Sequence, residues 1–295
     1  AVAEDLKIPY YVYDFSEEFK REVIDYFCGE YLKGLTPNPC IICNEKIKFA
    51  MLLEKARLLN VNFIATGHYA KIKPSKERFL LKEGKDRLKD QTYFLFSLSQ
   101  EQLKYAVFPL GDFTKEVTRS LAKRFRLKTY DTISSQDICF IQDMGYAEYI
   151  KKKTGIETKR GEIVDWDGGV VGYHKGIPYY TIGQRRGLGI AYKEPLYVTG
   201  IDIDKNRIIV GTKKDVLKRS LIAHRLNWIS VEGIKRPLKV KAKIRYNHKK
   251  ADATVTKIDS GSVRVDFDEP QEAPTPGQAV VFYDKDVVVG GGWIK

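Results

Sequence analysis

Apolar residues recur with helical spacing in the first part of the chain. Phe19, Val23, Phe27 and Tyr31 lie four positions apart and predict one apolar face of a helix. Residues 45–59 show similar periodicity and predict a second helix. Because short apolar runs that read as strands alternate with these helices, the pattern predicts an α/β domain.

Two of these apolar runs, residues 8–13 and 61–66, are predicted to form strands. Helix–strand alternation is typical of a parallel sheet, and ligands collect at the carboxyl ends of such strands. Residues 61–66 lead directly into Gly67 and His68, which we therefore expect near a site. Gly67 would let a nucleotide approach the backbone closely. His68 would contact a phosphate or a base, or else be a capped surface histidine.

The pattern changes twice further along the chain. Glycines and basic residues become frequent from about residue 151, and a strict period of two begins after about residue 213. These changes predict three domains, over residues 1–150, 151–213 and 214–295. Short strands and a Pro-Gly turn in the last region predict a small barrel or sandwich.

One stretch of the last region is strongly basic. Eight Lys or Arg and no acidic residue occur between Lys235 and Lys250. Apolar residues are expected to face the interior and cations to form an outer row that tracks phosphates. The inner set is Val240, Ala242, Ile244 and Tyr246, and the outer set is Lys239, Lys241, Lys243 and Arg245.

Composition narrows the function classes. The net charge is +13, which favours a polyanionic partner such as nucleic acid, although a merely basic enzyme would show the same balance. No apolar run is long enough to cross a bilayer, and no secretory leader is seen. Four cysteines in 295 residues do not make a disulfide scaffold, so we expect reduced thiols and a cytoplasmic location, with no membrane partner.

Residues 36–44 carry the strongest local signal for chemistry. Pro37 and Pro39 stiffen a turn that delivers Cys40 and Cys43 ahead of the helix predicted from residue 45. A helix N-terminus favours an anion, so Cys43 is expected to have a lowered pKa. This arrangement favours sulfur or metal chemistry, with two buried structural cysteines as the alternative.

Three other features are candidates for a site or for the core. Cys28 lies beside the apolar helix face and is expected to be a core thiol. Cys139 is predicted within a strand-like apolar patch that follows a polar turn over residues 134–137. Lys89, Asp90 and Gln91 would position a substrate, or Asp90 would simply cap a helix.

Taken together, these segments resemble the tRNA-specific 2-thiouridylase (MnmA/TrmU) family. The matching segments occur in family order over nearly the whole chain, and the ordered set is far more specific than any one of them. They are Thr36-Pro37-Asn38-Pro39 with Cys43-Asn44, Lys46-Ile47-Lys48-Phe49, Ala65-Thr66-Gly67-His68-Tyr69-Ala70, Lys89-Asp90-Gln91, Phe108-Pro109-Leu110-Gly111, Ile138-Cys139-Phe140-Ile141, residues 183–189, Lys243-Ile244-Arg245-Tyr246 and Pro276-Gly277-Gln278-Ala279-Val280.

The resemblance implies a fold and an activity. It implies a truncated Rossmann-like domain of the adenine nucleotide alpha hydrolase type, then a small β-rich domain and a C-terminal β-barrel that binds tRNA. The family adenylates C2 of the wobble uridine with ATP and Mg, then replaces that oxygen with sulfur. The implied partners are tRNA and a sulfur-donor protein or sulfide.

The resemblance also assigns roles to individual residues. Cys43 matches the nucleophile and Cys139 the cysteine that receives a persulfide, and the two would form a disulfide during turnover. Since they lie 96 positions apart, their segments must converge. Gly67 matches an ATP contact. The target-base loop is Asn38, Pro39 and Cys40, and the tRNA contacts are His68, Lys89, Asp90, Gln91, Arg245, Tyr246 and Gln278.

Cys40 departs from the family pattern, in which many relatives have Asp. It adds a third thiol to Cys43 and Cys139, and thiolates are the usual ligands of iron–sulfur clusters. One hypothesis is therefore a [4Fe–4S] cluster on these three cysteines in place of the persulfide–disulfide route. A zinc-stabilised RNA-binding protein that uses them with a histidine is a further alternative, but the usual second ligand pair is missing.

A second departure is the absence of the family's Ser-Gly-Gly-x-Asp-Ser loop, which cradles ATP phosphates, from these 295 residues. We therefore expect this chain to bind tRNA with little ATP-dependent thiolation of its own. The alternative function is a non-catalytic or partner-dependent tRNA-binding protein on the same scaffold. The retained Cys43 and Cys139 favour the enzyme.

Overall fold

The computed structural model describes residues 2–127, 130, 138–141 and 144–295. The predicted polar turn before Cys139 lies outside the described residues. Two long helical segments dominate the first region, each with a π-helical middle. They are Ser16–Phe19, Lys20–Asp25 and Tyr26–Leu32, and then Pro39–Ile42, Cys43–Met51 and Leu52–Leu58. The other helices are Val2–Asp5, Gln100–Lys104, Lys115–Arg124 and Tyr146–Thr154, with 3₁₀ turns at Thr92–Phe94, Pro109–Asp112 and Ile177–Tyr179.

Four strands accompany these helices. They are β1 (Ile64–Ala65), β2 (Ala70–Ser75), β3 (Arg78–Glu83) and β4 (Ala106–Val107). β1 and β4 pair in parallel, as the helix–strand alternation predicts, and β2 and β3 form an antiparallel hairpin. The prediction of a strand over residues 8–13 was wrong: these residues are exposed and pair with no described strand. Apolar pattern alone does not supply a neighbouring strand.

The central region is a small mixed sheet. Its strands are β5 (Gly161–Val164), β6 (Val170–His174), β7 (Tyr197–Asp202) and β8 (Arg207–Gly211), in the spatial order β6-β5-β8-β7. It has its own apolar core, in which Ile163, Val198, Ile208 and Val210 are fully buried.

The C-terminal region is a closed six-stranded barrel. Its strands are β9 (Leu217–Trp228), β10 (Leu238–Lys243), β11 (Ala251–Lys257), β12 (Ser262–Glu272), β13 (Ala279–Asp284) and β14 (Val287–Ile294). The order β13-β10-β11-β12-β9-β14 is closed by pairing of β13 with β14. The predicted alternation is confirmed for Val240, Ala242 and Ile244, which are buried, whereas Tyr246 is only half-buried.

The barrel is joined to the first region through a shared sheet and a shared core. β14 pairs with β3 where Val287 faces Lys82, so the β2–β3 hairpin extends the barrel sheet. Tyr93, fully buried in the first region, donates its hydroxyl hydrogen bond to the Ala279 carbonyl of β13 at 2.9 Å. Residues from both regions therefore meet at the cavity described next.

Candidate active site

One cavity of about 600 Å³ brings together the cysteine segments that are far apart in sequence. Cys40, Cys43 and Cys139 all line it, which confirms that the two segments converge. Its volume is within the range of small-molecule sites. The other lining residues are Phe19, Val23, Pro39, Asn44, Lys48, Gly67, His68, Tyr69, Leu88, Lys89, Gln91, Phe94, Lys115, Ile138, Phe140, Tyr246 and Asn247.

The helix that carries two of these thiols begins earlier than predicted. Asn38 has an extended backbone and its Oδ1 accepts a hydrogen bond from the Ile41 amide at 3.4 Å, so it is the N-cap. Pro39 occupies the first helical position, where its fixed φ is favourable. Cys40 therefore lies in the first turn and Cys43 one turn further, inside the helix. The predicted helix start at residue 45 was wrong, because these N-terminal signals were read as loop.

The predicted lowering of the Cys43 pKa was also wrong. Burial raises the pKa of the Cys43 thiol, and the nearby Lys48 ammonium only partly opposes it. Cys40 is exposed to the cavity, although protein surrounds much of its side chain. Burial raises the pKa of its thiol to about 11, and the neighbouring Cys139 and Cys43 thiols contribute smaller increases. Both groups are therefore mostly protonated thiols at neutral pH in this state.

Cys139 reaches the cavity from a turn and not from the predicted strand. Residues 138–141 are closed by a hydrogen bond from the Ile141 amide to the Ile138 carbonyl at 3.0 Å, and Cys139 is exposed. Phe140, next to it, packs edge-on against Phe27 at a centroid distance of 5.4 Å. This aromatic contact anchors the turn to the first long helix. Cys28, expected in the core, is buried there.

The three thiols do not form a ready metal site. All four cysteines have free thiols. Within the described residues, no group of three Cys, His, Asp or Glu side chains is placed to hold a metal ion. Sharing a cavity thus falls short of the close convergence that a cluster or a zinc ion requires. Within the part of the chain that the structure describes, these thiols are therefore not placed as a ligand set for one metal ion or cluster.

Gly67 and His68 lie at the cavity wall, as expected from the end of β1. A Cβ built on Gly67 would meet only Leu110 Cδ1, at 3.6 Å, so the backbone there is open to a close approach. His68 is buried, and its Nδ1 is 2.7 Å from Thr66 Oγ1. Burial, with a smaller effect of Lys48, lowers the pKa of His68 to about 4. The imidazole is therefore neutral at pH 7.

Comparison with family models divides the chain into three matches. The tRNA methyl transferase HUP domain matches residues 1–143, the tRNA methyl transferase PRC-barrel domain residues 148–212, and the aminomethyltransferase beta-barrel domain residues 218–294. These descriptions agree with the α/β region, central sheet and closed barrel described above.

Relatives match over the whole chain. A tRNA-specific 2-thiouridylase MnmA from Acetivibrio thermocellus is 49% identical over 297 residues, covering 100% of this chain and 83% of the relative. The chain belongs to the MnmA family. A second MnmA, from Clostridium perfringens, is 47% identical over 294 residues (82% of its length), and MnmA 2 from Thermoanaerobacter sp. (strain X514) is 50% identical over 296 (81%).

The MnmA motif Lys89-Asp90-Gln91 is divided between the cavity and the protein interior. Lys89 and Gln91 line the cavity, and Gln91 Oε1 accepts a hydrogen bond from the Tyr69 amide at 3.0 Å. Asp90 is buried and accepts hydrogen bonds from the Gly84 amide at 3.0 Å and from Thr92 Oγ1 at 2.6 Å. Asp90 therefore bonds within the protein, but it does not cap a helix, because the N-cap of the following 3₁₀ turn is Gln91, which makes no capping hydrogen bond through its side chain.

The three C-terminal candidates are also used in different ways. Tyr246 lines the cavity, with its ring centroid 4.5 Å from that of Phe94. Arg245, expected in the outer row of cations, instead turns inward and donates from Nη2 to the Ala273 carbonyl at 2.5 Å and to Thr275 Oγ1 at 2.6 Å. Gln278 Nε2 donates to the Thr36 carbonyl at 2.9 Å, which brings the barrel against the segment just before the Asn38 N-cap.

The predicted row of cations is only partly present on the barrel surface. Lys239 and Lys241 are exposed, but Lys241 pairs with Asp252 at 2.8 Å. Lys243 is half-buried beside Asp90, and burial lowers its pKa. The alternation of β10 sets which side chains point outward, but carboxylates on neighbouring strands decide which cations remain unpaired.

Asn44 and Lys48 are cavity residues that sequence reasoning did not assign. Asn44 is buried, donates from Nδ2 to the Phe94 carbonyl at 3.0 Å, and has an Oδ1 without a partner among the described residues. Lys48 lies five positions after Cys43. Because the π-helical turns of Cys43–Met51 have more than four residues each, this spacing brings it near the Cys43 thiol. On a helical wheel of 3.6 residues per turn, the side chains of Cys43 and Lys48 point in different directions.

Within the described residues, no helix has both the length and the apolar character needed to cross a membrane.

Proposed function

We propose that the chain is a sulfurtransferase that makes 2-thiouridine at the wobble position of tRNA. The observation that carries this proposal is the presence of Cys43 and Cys139, from distant segments, on one cavity. Family membership and the names of the relatives supply the reaction class. The net charge of +13 suits a tRNA partner.

The chemistry needs an activated oxygen and a delivered sulfur. ATP, when bound, supplies the adenylyl group that makes the C2 oxygen of uridine a leaving group, and the open backbone at Gly67 suits a nucleotide beside this cavity. Cys139, exposed on its turn, is accessible to a sulfur-donor protein that carries a persulfide, whose outer sulfur would pass to the Cys139 thiol as the donor's own thiol is released. The terminal sulfur of the resulting Cys139 persulfide would then bond to C2, and the activated C2 oxygen would leave with the adenylyl group as AMP.

Cys43 would then complete the sulfur step. Its thiolate attacks the sulfur of Cys139 that carries the terminal sulfur, so that the new Cys43–Cys139 disulfide forms as the S–S bond of the persulfide breaks and its electron pair leaves with the delivered sulfur. Lys48 is the cation whose charge favours the Cys43 thiolate, against the effect of burial. An external thiol reduces the disulfide between turnovers.

The base and its flanking nucleotides would be held by both sides of the cavity. Pro39 and Cys40 line the cavity from the first turn of the Pro39–Ile42 helix, which Asn38 caps, and these three residues would meet the target base. Tyr246 lies on the barrel side next to Phe94. Aromatic faces of this kind stack on extruded bases. His68, Lys89 and Gln91 complete the proposed tRNA contacts at the cavity, while Asp90, Arg245 and Gln278 support them through bonds to the protein.

The test is 2-thiouridine formation on a tRNA transcript with ATP and polysulfide, which supplies sulfur at the oxidation level of a persulfide. We expect Cys43→Ser and Cys139→Ser each to lower it by at least about 100-fold, since each removes a covalent step. Cys28→Ala is the matched control, because Cys28 is buried away from the cavity. Mapping of a persulfide on Cys139 follows the sulfur step without ATP. Tight tRNA binding with neither product would favour the tRNA-binding alternative.

A further inference from the structure

A turn of the barrel is hydrogen-bonded to the chain just before the helix that carries Cys40 and Cys43, here called the cysteine helix. The turn is Pro276, Gly277 and Gln278, between β12 and β13. The Thr36 amide donates to the Pro276 carbonyl at 2.9 Å, and Gln278 Nε2 returns a hydrogen bond to the Thr36 carbonyl at 2.9 Å. Both polar groups of the Thr36 backbone are therefore held by residues about 240 positions away.

Glycine is required at the centre of this contact. Gly277 has φ +88°, and a Cβ there would lie 2.9 Å from the Thr36 nitrogen and 3.0 Å from Leu35 Cβ. The turn is itself fixed to the end of β14, because the Gly277 amide donates to the Ile294 carbonyl at 2.9 Å and the Ile294 amide donates to the Gln278 carbonyl at 2.7 Å. The turn that bonds Thr36 is therefore itself held in place by strand β14 of the barrel.

Thr36 is close in sequence to the cysteines whose thiols are proposed to react. Two positions after Thr36, Asn38 caps the helix that carries Cys40 and Cys43. Pro37 and Pro39 restrict the backbone on both sides of that cap, and both are buried. A stiff connection of this length passes a displacement of Thr36 on to the first helical turn instead of absorbing it.

We propose that Gln278 is a positioning residue, which acts through Thr36 to fix the start of the cysteine helix against the barrel. The group that makes these contacts is the side-chain amide nitrogen Nε2, which donates to the Thr36 carbonyl and lies 3.5 Å from the Pro37 carbonyl oxygen. This role differs from that of a residue whose main contact is tRNA. Its consequence for catalysis rests on the proposed function, but its structural consequence does not.

The experiment compares Gln278→Leu with Gln271→Leu in the full chain. Gln271, on β12, donates to the nearby Glu269 carbonyl and is not among the residues that line the cavity, so it is a matched control. We expect Gln278→Leu to speed hydrogen exchange in a peptide spanning residues 36–43 by about tenfold, the effect of one lost hydrogen bond. The kcat for 2-thiouridine formation should fall by a similar factor, while the Kd for tRNA changes less than about twofold.

Gly277→Ala reaches the same contact by a different route, through steric overlap with Thr36, and should speed exchange in the same peptide. A raised Kd for tRNA with unchanged exchange and unchanged kcat in Gln278→Leu would overturn the proposal and make Gln278 a tRNA contact. Faster exchange in a protein that makes no 2-thiouridine would support the positioning role while counting against the proposed function.

Discussion

The neutral state of His68 has a measurable consequence for stability. The side chain is 8% exposed, its ring lies 5.9 Å from Phe49 and 5.7 Å from Phe108 between centroids, and burial lowers its pKa to about 4. An unfolded histidine has a pKa of about 6.5. Between these two values the unfolded state binds more protons than the folded state. The contribution of His68 to stability is therefore complete above about pH 6.5 and is lost as the pH falls towards 4.

The two pKa values fix the size of the effect. Lowering the pH from 7 to 5 should cost about 2 kcal/mol of unfolding free energy through His68, and about 3 kcal/mol by pH 4. His68→Phe keeps a ring among Phe49 and Phe108 but cannot titrate. Urea unfolding of both proteins at pH 7 and pH 5 should show a loss smaller by about 2 kcal/mol in the variant.

An equal loss of stability in the variant and the unsubstituted protein would refute this reasoning. So would an NMR titration that places the pKa of His68 near 6.5, since the imidazole would then be solvated. Confirmation would mean that the imidazole of His68 is neutral in the folded protein at pH 7, so that the tRNA contact proposed for it would not depend on its protonation.

Three further predictions follow from buried contacts and from the placement of donors. Asn44→Ala leaves the Phe94 carbonyl without its donor and should lower the unfolding free energy by about 1–3 kcal/mol in urea denaturation; no change would contradict it. Arg245→Met should cost about 1–3 kcal/mol as well, because its guanidinium satisfies buried acceptors, whereas a loss of tRNA affinity alone would be contrary to its inward orientation. Anaerobically purified protein should contain neither stoichiometric iron nor zinc, and iron that is required for activity would contradict the placement of the thiols.

The sequence predicted best where one local period decided the outcome. The alternation of Val240, Ala242 and Ile244 correctly placed the interior of the barrel, and the spacing of Phe27 and Tyr31 correctly placed a buried helix face that also holds Cys28. In both cases the partner surface was not needed to tell which side is buried.

The errors occurred where distant partners decide the outcome. Arg245 lies beyond the end of β10, so the alternation of that strand does not extend to it. Two of its acceptors, the Ala273 and Ile182 carbonyls, lie just after β12 and in the central region, which the sequence around Arg245 does not indicate. The cavity itself was expected only through family resemblance. The error in the helix start at Pro39 had a different cause, because the local signal was present: an N-cap Asn followed by Pro can be recognised from the sequence.

The pKa of Cys43 shows a further limit of local reasoning. A thiol near a helix N-terminus is favoured as an anion by the backbone dipoles, but the sequence does not show how much water the fold removes. In the structure this loss of water dominates, and Lys48 only partly opposes it.

The most direct test of the account is a cross-link between Cys43 and Cys139 in a Cys28→Ala, Cys40→Ser background. Dibromobimane, which fluoresces once it joins two thiols, should give an intramolecular product whose peptide map links residues 43 and 139. Adding tRNA should suppress the product, because the base would occupy the same cavity. Separate alkylation of both thiols with no linked peptide, with or without tRNA, would contradict the convergence on which the proposed sulfur transfer depends.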